Sequence, residues 1–222
     1  MKISIIIPVL NEEQNLLRLG DYLRAIRQQG HEVLIVDGGS ADNTLSIAYD
    51  VTEVVIISKP GRAMQMNSGA ATASGELLLF LHADTSLPDD ALQILCALSQ
   101  RKNCWGRFDV RLSGARFVFR LIENLMNLRS CLTSIATGDQ AIFIEKKLFD
   151  HIGGFPEIAL MEDIEISRRL RKISKPVCIK QRVTTSSRRW EKNGIVATVL
   201  LMWKLRLYYF FGTSPEKLKQ LY

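Results

Sequence analysis

Four short runs of apolar, largely β-branched residues punctuate the first third of the chain, at Ile3–Ile7, Glu32–Val36, Glu53–Ile57 and Leu77–Leu81. Each is bounded by turn chemistry and separated from the next by residues at helical spacing, a pattern that predicts a mostly parallel sheet with helices on both faces, an α/β fold. The first helix is marked by Asn11 as a cap, Gln14 three residues on, and Leu16, Leu19, Leu23 and Ile26 on one face, with Gly30 ending it. A second helix starts near Asp42, and a third runs from Arg62 to Ser74 with Gly75 as terminator.

Beyond residue 100 the pattern is mixed. It predicts a strand at Trp105–Leu112, a long amphipathic helix through Phe117–Leu132, a strand at Gln140–Ile144 and a short helix beginning near Asp163 that carries Arg168, Arg169 and Arg171 to the break at Lys175-Pro176. The segment Ile195–Phe211 is strongly apolar but is interrupted by Lys204 and Arg206. It is too short and too charged for a good membrane-spanning helix. Two readings stay open: a helix lying in a membrane interface, or a core helix docked on the sheet. The chain thus divides into a main domain over 1–190 and an apolar, basic helical extension over 191–222.

Composition adds little to that picture except at two points. With 222 residues, 47% hydrophobic and 23% charged, the chain is long enough to bury one continuous core. The four cysteines, at 96, 104, 131 and 178, form no metal-type spacing and are expected to be reduced core thiols. The net charge of +6 is unevenly spread: residues 1–167 hold 15 basic and 21 acidic side chains, and residues 168–222 hold 14 basic and 2 acidic. Such a basic end suits phosphate-rich or anionic-lipid partners. The opening apolar run is too short for a signal peptide, which predicts a cytoplasmic chain, with its tail at the inner face of the membrane.

In open α/β sheets ligands bind beyond the carboxyl ends of the strands, so the polar residues there are the candidates for chemistry. They are Pro8-Val9-Leu10-Asn11-Glu12, Val36-Asp37-Gly38-Gly39-Ser40-Ala41-Asp42-Asn43-Thr44 and His82-Ala83-Asp84. A carboxylate directly after a buried strand is costly unless it is paired or metal-bound, which singles out Asp37 and Asp84.

Together with Gly61-Arg62, Asn67, Gly69, Gly153-Gly154-Phe155 and Glu162-Asp163, these segments resemble, in order and spacing, the inverting family 2 glycosyltransferases of GT-A fold, over roughly residues 2–190. The forms of Gly61-Arg62-Ala63-Met64-Gln65-Met66-Asn67 and His82-Ala83-Asp84-Thr85 look like a small bacterial subgroup. The resemblance implies a nucleotide-sugar donor, a UDP-sugar being favoured, and Mn2+ or Mg2+ as cofactor. Pro8, Leu10, Glu12 and the Asp37–Gly39 turn would bind the base and ribose, with Asp37 accepting from a pyrimidine imide. Arg62 would lie near base or phosphates. Asp84 would hold the cation, and Asp163, adjacent to Glu162, would take the proton of an acceptor hydroxyl on a lipid or small molecule. Trp105, Arg107 and Asp139 would lie around that acceptor.

His82 stands where the family commonly has an aspartate, and it would contact the ribose, support the site from behind or complete the metal site. Arg188 and Arg189 would close over the diphosphate or form a basic patch towards lipid. The missing glutamine before Arg189-Trp190 argues against processive synthesis. Competing functions are weaker. A nucleotidyltransferase needs a glycine-rich loop after the first strand, and a dinucleotide oxidoreductase needs GxGxxG; neither is present. No recognition motif supports a nucleic-acid partner. The serious alternative is a catalytically silent nucleotide-sugar-binding or membrane-scaffold protein.

Overall fold

The computed structural model describes residues 1–222. In chain order the elements are β1 (Ile3–Val9), α1 (Glu13–Gln28), β2 (Glu32–Asp37), α2 (Thr44–Val51), β3 (Val54–Ile57), α3 (Arg62–Thr72), β4 (Leu77–Phe80), β5 (Thr85–Ser86) and α4 (Ala91–Ala97). They continue with β6 (Trp105–Leu112), α5 (Phe117–Thr133), a 3-10 turn at Gly138–Gln140, β7 (Ile142–Glu145), α6 (Lys146–His151), α7 (Glu162–Leu170) and β8 (Val177–Thr185). Three helices close the chain, α8 (Arg188–Asn193), α9 (Ile195–Phe210) and α10 (Pro215–Leu221).

One eight-stranded sheet runs in the order β3-β2-β1-β4-β7-β6-β8-β5. The first four strands in that order pair in parallel, as the apolar runs predict. β7 then pairs antiparallel with both β4 and β6, while β8 runs parallel to β6 and antiparallel to the two-residue β5. Since β2 and β4 lie on opposite sides of β1, the chain reverses its direction of travel there, and the β1 and β4 ends flank the crevice where α/β sheets bind ligands.

Alternation along β1 builds the two sides of the core. Ile3, Ile5 and Ile7 face a 27-residue cluster with Leu16, Leu23 and Ile26 of α1, and Ile6 faces an 18-residue cluster with Met66 and Ala70 of α3 and Ile166 and Leu170 of α7. Gln65 of α3 fastens the carboxyl ends of two strands at once, its Nε2 donating to the carbonyls of Val9 and Val36, each at 2.8 Å. Asn67 ties the same helix to the loop before α7 by a paired bond, donating to the Phe155 carbonyl and accepting from its N–H.

Several expectations need correction. Asn11 does not cap α1: its φ is +56°, and its side chain accepts from the Ala41 N–H, so it links the loops after β1 and β2 instead. Gly75 follows the end of α3 but serves close packing, since a Cβ there would lie 2.5 Å from Ser4 Oγ. Only Cys104 among the four cysteines is buried; Cys131 is exposed and the others are half-buried. α9 packs on the main domain, with Ile195 and Val199 on the cluster of Leu112, Phe119 and Ile122. Its Leu205 and Leu218 of α10 pack with Ile135, Met161 and Ile164, so the extension closes over the start of α7.

Candidate active site

A cleft of about 710 Å³ opens beyond the carboxyl ends of β1 and β4. Pro8, Leu10 and Glu12 line one side, Arg62 another, His82 and Asp84 the floor, and Asp139, Glu162 and Arg189 the side contributed by the second half of the chain. Most of the residues singled out from the sequence therefore converge on one space. The extension supplies a further wall through Thr198, Met202, Lys219 and Tyr222, none of which the sequence pattern flagged.

Anion-binding chemistry gathers at one end. The amino terminus of α3 enters the lining with Gly61, Arg62, Ala63 and Met64, and the helix dipole and its unpaired first-turn N–H groups favour negative charge there. Arg189 is close enough to Arg62 that, after burial, the neighbouring cation is what most lowers its pKa. Its guanidinium also stacks on Tyr222 at 3.6 Å and donates to that residue's carbonyl. Arg188, by contrast, is exposed and outside the lining, so only one of the arginine pair can address a ligand here.

The 3-10 turn after α5 connects the two sides. His82 Nδ1 lies 3.5 Å from Asp139 Oδ1. Burial opposes ionisation of Asp139, but the hydrogen bond and charge of His82, with Arg62 and Arg189 beyond, hold its carboxyl below the usual range. Half of its side-chain surface stays exposed, so the cations decide the outcome. His82 directs Nδ1 to Asp139 while the other edge of its ring lies at Gly138, where a Cβ would come within 2.5 Å of it. Asp84 fits a hard cation: its carboxylate is exposed on the cleft and accepts one bond, from Thr85 Oγ1. No group of three His, Cys, Asp or Glu side chains is assembled anywhere, so a hard cation held by Asp84 needs oxygens from its ligand to complete its shell.

Glu162 and Asp163 open α7, and they part company. Glu162 is 7% exposed and faces the cleft; burial, then the adjacent Asp163 carboxylate, pushes its pKa up. Asp163 is half-buried outside the lining, accepting from the N–H groups of Gly138 (3.2 Å) and Ile164 (2.7 Å). Behind it stand two arginines that sequence reasoning missed. Arg206 of α9 lies within the electrostatic reach of Asp163 and Asp139, and its pKa falls mainly through burial. Arg129 of α5 has buried Nε and Nη2 atoms without a partner; burial first, then Arg206, lowers its pKa to about 10. The sequence carries no signal for either: that Arg206 falls one turn after a residue lining the cleft, Met202, and that Arg129 of α5 stands near Arg206, is visible only in the fold.

Beyond Arg188 and Asp163, four further expected site residues lie outside the lining. Asp37 is 2% exposed and fastens its own turn, accepting from the N–H groups of Gly39 and Ser40 and from Ser40 Oγ. Gly39 belongs to that turn with φ +92°, and neither residue lines the cleft. Trp105 and Arg107 do not surround an acceptor. β6 lies between β7 and β8, which buries both side chains: Trp105 donates to the Ser174 carbonyl, and Arg107 pairs with Asp109 and donates to the Asn127 carbonyl.

Known proteins resemble this chain in sequence and in architecture. An uncharacterised glycosyltransferase of Mycobacterium tuberculosis is 33% identical over 194 residues, covering 80% of this chain and 72% of that protein. Among solved structures, Staphylococcus aureus TarS 1–349 with UDP-GlcNAc superposes with a TM-score of 0.65 at 19% identity, over 84% of this chain and 58% of that one. The mannosyltransferase PcManGT of Pyrobaculum calidifontis, solved with GDP-Man and Mn2+, gives 0.65 at 18% identity, over 99% and 67%. Residues 4–153 match Glycosyl transferase family 2, and with the mycobacterial relative this establishes that the chain belongs to that family.

Proposed function

We propose that the protein transfers a hexosyl group from a nucleoside diphosphate sugar, a UDP-sugar by preference, to an acceptor hydroxyl on a lipid or small molecule, with inversion. The observation that carries this reading is the convergence of Asp84, Arg62, Arg189 and the α3 amino terminus on one cleft, a set suited to a diphosphate. The solved relatives bound to UDP-GlcNAc and to GDP-Man with Mn2+ support the donor class and the cation.

Pro8, Leu10 and Glu12 receive the nucleoside end of the donor, and Arg62 and Arg189 hold its phosphates. Asp84 would hold a divalent cation, Mn2+ or Mg2+, which would supply positive charge to the diphosphate. In the reaction the anomeric carbon loses its bond to the phosphate oxygen and gains one to the acceptor oxygen, and the acceptor proton passes to a carboxylate. We assign that proton to Asp163, which must turn from the Gly138 and Ile164 N–H groups towards the cleft to receive it. Glu162, whose burial favours its neutral form, is suited to donating a hydrogen bond to the donor instead, so the adjacent carboxyls divide the work. Asp139, which also lines the cleft, is assigned to the acceptor.

The test is donor binding by calorimetry and by thermal shift with and without Mn2+, in the wild type and in Asp84→Ala. The wild type should bind a UDP-sugar more tightly with Mn2+, and the variant should lose more than tenfold of that affinity, at least about 1.4 kcal/mol. Equal affinities in the two proteins would remove the metal role from Asp84. Metal-dependent binding without even slow donor hydrolysis would favour a silent binder.

A further inference from the structure

α5 and α9 each bury one face and leave a long apolar stripe bare on the opposite one. On α5 the stripe is Phe117, Leu121, Leu125, Leu128 and Leu132, at 53–85% exposure. Those positions recur at helical spacing, so they form a single line down the helix. On α9 it is Val196, Leu200, Trp203, Leu207 and Phe210, at 54–72%, continued by Phe211. Ile195 and Val199 of α9 pack on the cluster formed by Leu112 of β6 with Phe119 and Ile122 of α5, which brings the two helices near one another. Each stripe lies opposite the side its helix buries, and together the two expose many more large apolar side chains than the scattered hydrophobic residues of an ordinary surface.

The exposed charges around this face are mainly basic. α9 presents Lys204 and no acidic residue, its half-buried Arg206 being within reach of Asp163 instead. α5 has one acid, Glu123, which is wholly buried against Arg120 and Arg182. Exposed Arg116 and Lys192 stand where the two helices begin, with one acid, Glu191, which accepts from Ser187 Oγ. A second copy of the chain would bring the same cations to the interface and be repelled. Aromatic Trp203, Tyr208, Phe210 and Phe211 are the residue types that settle at the headgroup level of a bilayer, and no helix is long and apolar enough to cross one.

We infer that the α5–α9 face seats the protein on an anionic lipid bilayer, with both stripes in the interface and the basic residues at the phosphates. The sequence pattern points to α9 alone; the structure adds the exposed stripe of α5. The inner side of α9 carries Thr198 and Met202 into the cleft, so a seated molecule holds that cleft wall beside the headgroups. This inference does not depend on the transferase reading.

The experiment is co-sedimentation of the full chain with vesicles of phosphatidylcholine alone or with about one-third phosphatidylglycerol, a level at which juxtamembrane cations contribute measurably. The wild type should pellet with the anionic vesicles and lose binding as salt rises. The double substitution Leu121→Asp/Leu125→Asp, and separately Trp203→Asp/Leu207→Asp, should each lower partitioning more than tenfold while melting and donor affinity stay unchanged. If the aspartate variants fold poorly, the same pairs changed to serine should lower it in the same order. Absence of binding by the wild type, or binding indifferent to the α5 pair, would overturn the inference. So would a dimer seen by light scattering that these substitutions dissociate, because a second copy would then own the face.

Discussion

The two halves of the sheet use their strands differently. From β1 to β4 the strands are a buried scaffold, and the reactive side chains stand just past their carboxyl ends: Glu12 after β1 and Asp84 after β4. In the second half, β6 keeps its polar and aromatic residues for itself, burying Trp105, Arg107 and Asp109, and the cleft is furnished instead by a turn at Gly138–Gln140, by the first turn of α7 and by the flank of α9. A parallel strand end can point at a ligand because nothing follows it in the sheet plane. A central strand such as β6 must first satisfy its own neighbours.

Substitutions can break that contrast. The largest effect is expected from Asp163→Asn, which should cut turnover by about 10²- to 10⁴-fold, the range for a lost general base, while donor affinity is retained. Steady-state kinetics with calorimetry decide it, and retained turnover would remove Asp163 from the role. Trp105→Ala should act on the other side of the comparison, costing about 3–5 kcal/mol of stability in chemical denaturation with kcat per folded molecule unchanged. If kcat falls instead, the acceptor role denied to Trp105 returns.

Gly138→Ala should cost about 1–3 kcal/mol, because the new methyl overlaps the His82 ring and the ring must move. A melting curve and a KM measurement would detect it together. The smallest effect belongs to Glu162→Gln. The raised pKa of Glu162 means the unfolded chain gives up this proton first, so the wild type loses stability as the pH rises above 4.5, until the folded carboxyl ionises too. The glutamine variant should therefore melt higher than the wild type at pH 8 and alike at pH 4. An identical difference at both pH values would mean that the effect is not electrostatic.

The same contrast governs what could be read from the sequence. β1 to β4 are legible because each is a compact β-branched run with turn residues at both ends, and the residues just past β1 and β4 therefore lie in the cleft. β8 is not legible. Its pairing with β6 jumps from Phe108–Ile179 to Asp109–Arg182, so Lys180 and Gln181 bulge outward and interrupt the alternation that would mark a strand. Arg107 and Asp109 carried a readable warning: residues two apart on a strand share a face, and a cation beside an anion there forms its own pair. Asp37 shows that a carboxylate after a strand can also satisfy its need for partners with the backbone N–H groups of the turn that follows. Arg129 and Arg206 could not be assigned without knowing that α5 and α9 are neighbours.

Met161, just before Glu162, has φ +74° and offers no side-chain bond to cap α7. A residue with a side chain keeps that torsion only where its surroundings insist on it, and here the insistence comes from Leu205 and Leu218, which pack with Met161 near the end of the chain. The aim of the two carboxyls is thus set by leverage from behind: shaving Leu218 would remove no cleft side chain and still let the first turn of α7, with Glu162 on it, go slack.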